Sequence, residues 1–133
     1  MENSILQELI DLNEKARDPF LLQIEALKDF AKNKSIAGKI ETVIKFKQQE
    51  TLGVYRFREF KNFIEKNIKE IVKQTGGNYL KRLTGEFMEL QNRINVLKQN
   101  IKSNKKSVFM QKLNNNNKET QGQIQTIHPN SLF

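Results

Sequence analysis

The sequence predicts an all-α fold: a small helical bundle with a C-terminal αα-hairpin, a long last helix and a disordered C-terminal tail. Three observations predict it. Apolar residues recur at spacings of three and four along most of the chain, while two-residue alternation is scarce. Leu80, Leu83, Phe87, Leu90, Ile94, Leu97 and Ile101 hold that spacing for three heptads without a gap. From Asn114 onward the chain turns to Asn, Gln and Thr, which bury too little apolar surface to offset the entropy of ordering.

The elements follow in order. Residues 3–17 place Ile5, Leu6, Leu9, Ile10 and Leu12 on one helical face, and Asp18-Pro19 reads as the N-cap and first position of a second helix. That helix reaches about Lys32, with Phe20, Leu21, Ile24, Leu27, Phe30 and Ala31 inward. Ser35 caps a third, carrying Ile36, Ile40, Val43 and Ile44 and fading near Leu52-Gly53. A fourth, residues 54–74, has the stripe Phe57, Phe60, Ile64, Ile68 and Ile71. Gly76-Gly77 then supplies the backbone freedom for a reversal. The last helix, residues 78–104, carries the heptad seam and tolerates Gly85 at a cost of about 1 kcal/mol relative to alanine. Three regions result: acidic N-terminal helices (1–34), a basic helical domain (35–106) and an Asn/Gln-rich tail (107–133).

Composition excludes most chemistry. The 133 residues contain no cysteine and a single histidine, His128. Thiolate metal sites, cysteine nucleophiles and His-based triads are therefore not expected. Gly76-Gly77 lacks the following Gly-Lys-Ser/Thr of a phosphate loop. Carboxylate pairs such as Glu65/Glu70 and Glu86/Glu89 sit among lysines and read as solvated helix faces. The expectation is a non-catalytic protein with no cofactor and no metal. The N-terminal residues lack a basic and apolar leader, and no apolar run is long enough to span a bilayer, so the expected setting is intracellular and away from membranes.

Charge points to partners. The formal net charge is +8, but residues 1–30 carry seven acids against three bases, a net of −4. Residues 31–133 carry twenty bases against eight acids, a net of +12. A basic body concentrates polyanions such as DNA or RNA, and an acidic front suits a different surface, a contact with protein subunits of a larger complex. With the seam of the last helix facing inward, Lys81, Met88, Asn92, Asn95, Gln99 and Lys106 face outward, flanked by Gln91 and Lys102. Amide side chains pair bidentately with adenine N6 and N7 in a major groove, and Lys98, Lys102, Lys105 and Lys106 stand at the end of the face for phosphates. Arg56, Arg58 and Lys61 form a second, weaker basic group. About six neutralised phosphates would give a log–log salt slope near −5.

Gln91-Asn92-Arg93, followed by Lys98 and further lysines, resembles the Gln-Asn-Arg core of a homeodomain's third helix. The resemblance implies base reading by Met88, Gln91, Asn92 and Asn95, with Asn92 on adenine and Arg93 beside it. Glu89-Leu90 stands where that family carries Trp-Phe. Phe57, Phe60 and the segment Leu83-Thr84-Gly85-Glu86-Phe87 are also loosely similar to a high-mobility-group box. Fifteen Asn and eleven Gln give the chain a ciliate-like composition. Together these features are similar to the homeobox-like small DNA-binding accessory subunit of the ciliate DNA N6-adenine methyltransferase complex. That likeness implies a nuclear subunit that holds DNA while a partner performs methylation. The competing expectation is a helical scaffold or assembly-chaperone subunit whose heptad seam continues into a partner's helix.

Overall fold

A computed structural model describes the backbone of residues 2–115 and the side chains of residues 4–103. The described residues form three long helices: α1 (Glu2–Lys32), α2 (Ile36–Thr75) and α3 (Gly77–Asn115). α1 and α2 run antiparallel, since Arg56 reaches Lys15, Gln23 reaches Gln49 and Lys39 reaches Phe30. α2 and α3 are also antiparallel, with Lys98 on Glu50 and Phe87 on Phe57 and Phe60. α3 therefore runs parallel to α1, in an up-down-up bundle.

Two expected breaks are absent. Asp18-Pro19 does not start a new helix: α1 continues through Pro19, which is fully buried. Proline has no N–H for the carbonyl four residues back, which here is that of Lys15. The Arg56 guanidinium of α2 donates to that carbonyl at 3.3 Å, a donor from a neighbouring helix in place of the missing amide. Nor does α2 fade at Leu52-Gly53. Gly53 is buried, and a Cβ there would lie 3.4 Å from Pro19 Cβ and 3.2 Å from Gln23 Nε2. It marks the close approach of two helices, not the end of one.

The expected breaks at Ser35 and Gly76 are present. The Ser35 hydroxyl accepts from the Gly38 amide at 3.0 Å, capping α2. Lys39 Nζ donates to the Phe30 carbonyl at 2.7 Å, satisfying one of the last-turn acceptors of α1. At the far end Gly76 adopts φ 82°, ψ 160°, a conformation nearly confined to glycine, and reverses the chain in one residue.

The core has two parts. Leu9, Ala16, Phe60, Ile71, Leu83 and Phe87 close the end near the Gly76 reversal. Ile24, Ala26, Leu27, Phe30, Val43, Phe46, Leu90, Ile94 and Ile101 close the other. Phe20 packs against both and meets Phe87 edge-on at 5.6 Å. α2 outlasts α1 at the reversal and kinks there. Asn67 leaves helical geometry (φ −117°, ψ 19°), and its side-chain amide donates to the Phe63 carbonyl at 3.0 Å. Ile71, one turn on, is completely buried.

The heptad seam is satisfied inside the chain: Leu83, Phe87, Leu90, Ile94 and Ile101 are buried, Leu80 and Leu97 half-buried. Several residues expected inward face solvent instead. Ile36, Ile40 and Ile44 form an exposed row on α2, and Ile10, Leu21, Ala31 and Ile68 are exposed as well. Their helices meet the core over a narrower arc than the apolar periodicity suggested. α3 continues as helix to Asn115, so residues 107–115 of the expected tail have helical backbone. The rest of that tail, residues 116–133 with His128, lies outside the described residues.

Candidate nucleic-acid interface

The face of α3 opposite the seam carries the predicted residues. Because the seam recurs every three and four residues, positions half a turn away point outward along the whole helix. Lys81, Met88, Gln91, Asn92, Arg93, Asn95, Gln99 and Lys102 are all exposed, Met88 to 74%. Gln91 Nε2 donates to Asn95 Oδ1 at 3.1 Å. This internal bond leaves the Gln91 carbonyl oxygen and the Asn95 amide nitrogen free for an outside partner, one acceptor and one donor. Asn92 lies one residue from Gln91 and makes no hydrogen bond to another described residue. The three amides thus offer alternating donors and acceptors on one exposed surface, the chemistry a base edge requires.

The structure does not bring all the predicted phosphate contacts to this face. Lys98 is half-buried and turned towards α2: its Nζ lies 3.2 Å from Glu50 Oε2 and 4.9 Å from the centre of the Phe46 ring. It joins α3 to α2, because its position on the helix lies close to the seam. Arg93 is exposed but sits about 100° round the helix from Asn92, so the triplet spans two surfaces. Lys105 and Lys106 belong to α3, and their side chains lie outside those described. The described cations of the face are therefore Lys81 and Lys102; Arg93, nine residues from Lys102, lies on the other side of the helix.

Of the second basic group, Arg56 serves the Lys15 carbonyl, while Arg58 and Lys61 are exposed. One feature escaped the sequence reading. Arg58, Asn62, Lys66, Lys69 and Lys73 recur at intervals of 4, 4, 3 and 4 on the outward side of α2, and all are exposed. The signal was present, since this is the face opposite the Phe57–Phe60–Ile64–Ile71 stripe.

The N-terminal region behaves as a separate surface. Glu8, Asp11, Glu14, Asp18, Glu25 and Asp29 of α1 are exposed, with Ile10, Leu21 and Leu22 among them. Among the described residues, no three of His, Cys, Asp and Glu come together as a metal site, and no helix is long and apolar enough to cross a membrane. Comparison of the chain with protein-family models, curated proteins and solved structures gives no match.

Proposed function

We propose that the protein is a non-catalytic nucleic-acid-binding subunit that holds duplex DNA against the outward face of α3. One observation carries this reading: the seam of α3 is satisfied within the chain, which leaves an exposed row of amides and cations that the fold does not use. The burial of the seam within the chain supports this reading over a scaffold subunit that takes a partner's helix at the seam. The acidic, partly apolar outer side of α1 is the surface proposed to meet other subunits of a complex.

The homeodomain resemblance supports the choice of Asn92 as a base-reading residue. It does not extend to the docking geometry described for helix-turn-helix proteins, in which two helices meet at about 90–120° across a turn of three or four residues. Here α2 and α3 run antiparallel through a single linking residue. The proposal is accordingly a duplex-holding role; membership of an adenine methyltransferase complex rests on residues 91–93 and composition.

Competition binding with variants tests the proposal. Lys81→Gln with Lys102→Gln should weaken binding to all duplexes alike, because phosphate contacts carry no sequence information. Asn92→Ala should compress the affinity ratio between adenine-containing and adenine-free sites, where a bidentate amide contact contributes about 1–3 kcal/mol of discrimination. Unchanged affinity in the lysine variant would defeat the assignment of this face.

A further inference from the structure

The contacts between the helices fix which way the exposed residues of α2 and α3 point. On α2, Arg56 and Gln49 meet α1, whereas Phe57 and Glu50 meet α3. The step from Arg56 to Phe57 thus turns about 100° from α1 towards α3. Turning on from Phe57 in the same sense, Lys61 follows after about 40° and Arg58 after about 100°. Both lie on the side of α2 that borders α3 and faces away from α1. On α3, Phe87 and Lys98 meet α2. Turning on from them, away from the buried Leu90 and Ile94, Gln91 and Lys102 follow after about 40° and Asn95 after about 60°. The two sets border one surface, on the side of the bundle opposite α1. Phe57 and Phe60 both pack on Phe87, so Arg58 and Lys61 stand at the level where the amides of α3 begin.

Arg58 and Lys61 are exposed, and no hydrogen bond or ion pair to another described residue engages either. We infer that they hold phosphates of the same duplex whose bases α3 faces, so that α2 lies along one strand's backbone beside the occupied groove. The inference rests on the duplex-holding reading of α3 and adds a second helix to its site. Packed helices stand about 8–10 Å apart. The major groove is about 12 Å wide, so a helix level with the one in the groove lies over the phosphates that border it. Of the acids nearby, Glu50 is held by Lys98 at 3.2 Å and by Lys47 at 3.8 Å, and Glu65 stands one turn beyond Lys61, towards the reversal. Val54 and Met88 bring two exposed apolar side chains to a surface otherwise made of cations and amides. The centre of a protein interface is depleted in charge and more apolar than this. The outer side of α1 carries exposed Asp11, Asp18, Glu25 and Asp29, which repel a polyanion and leave the α2–α3 side as the one a duplex approaches. Phosphate contacts carry no sequence information, so α2 adds affinity while Asn92 keeps the base preference.

The test compares two variants that lose the same charge from opposite sides of the bundle. Binding of the full chain to a labelled duplex is followed by fluorescence anisotropy across salt concentrations, for the wild type, R58Q/K61Q and K15Q/K28Q. Lys15 and Lys28 are exposed on α1, and all four changes leave the core untouched. With Lys81, Lys102, Arg58 and Lys61 on phosphates, the wild-type log–log slope should be about −4, at roughly −0.9 for each phosphate. R58Q/K61Q should bring it to about −2 and leave the preference for adenine-containing sites unchanged, while K15Q/K28Q should keep the wild-type slope. A wild-type slope in R58Q/K61Q, or an equal loss in K15Q/K28Q, would overturn the role of α2 and leave the α3 reading standing. If the unaltered protein binds no duplex at low salt, both proposals fall.

Discussion

The passage of α1 through Pro19 depends on Arg56, and the dependence has a measurable signature. In the wild-type chain the Lys15 carbonyl has no amide donor four residues on, and Arg56 donates to it at 3.3 Å. Hydrogen bonds with a charged partner contribute about 1.5–3 kcal/mol when well formed. This one is long and solvent-accessible, so water can replace part of it, and Arg56→Met should cost about 1 kcal/mol. Methionine keeps most of the aliphatic stem, which limits the loss of packing. Pro19→Ala supplies the missing amide and removes an interior proline, worth up to about 3 kcal/mol in helix propensity. Part of that gain is offset because Pro19 packs beside Gly53, where a Cβ would stand 3.4 Å from it. In the Pro19→Ala background the Lys15 carbonyl has its own donor, so Arg56→Met should cost close to nothing. Urea denaturation of the wild type, both single variants and the double variant closes the cycle, with an expected coupling of about 1 kcal/mol. Equal costs for Arg56→Met in the two backgrounds would refute the argument that Arg56 replaces the proline's missing N–H.

Three other substitutions probe separate parts of the fold. Phe87→Ala removes the ring that meets Phe20, Phe57 and Phe60 at 5.6, 5.0 and 5.3 Å, and should cost about 3–5 kcal/mol by chemical denaturation. Gly76→Ala places a side chain at φ 82°, ψ 160°, and although the position is open in space, the strain should cost about 1–3 kcal/mol in the same assay. Ser35→Ala deletes the 3.0 Å cap to Gly38 and should lower stability by about 1 kcal/mol, with hydrogen exchange quickening first in the opening turn of α2.

The main outline was legible in the sequence because it rests on local signals. Gly76-Gly77 marked the reversal, Ser35 the cap, and the heptad seam the buried side of α3, each decided within a few residues of chain. The two misread breaks were local signals answered from a distance. Pro19 normally ends or kinks a helix, and nothing near it in sequence reveals that Arg56, 37 positions later, supplies a donor. Gly53 reads as a helix terminator until Pro19 and Gln23 are seen against it. The same limit applies to the interface. Asn92, Asn95, Gln99 and Lys102 were placed by helical periodicity alone, and they are exposed. Lys98 was assigned to phosphates because it is a lysine near the end of the face, but its angle brings it to Glu50 and Phe46 of α2. The Arg58–Lys73 row emerges only from the helical phase opposite the Phe57–Ile71 stripe, because scattered exposed lysines carry little signal until the buried side of the helix is known.

Duplex binding by the intact protein, followed across salt concentrations, tests the central claim most directly. Fluorescence anisotropy of a labelled duplex should give an affinity whose logarithm falls linearly with the logarithm of salt. With Lys81 and Lys102 on phosphates the slope should be about −2 or steeper, since each neutralised phosphate contributes roughly −0.9. Absence of binding at low salt, or binding indifferent to salt, would contradict the claim that the exposed faces of this bundle hold nucleic acid.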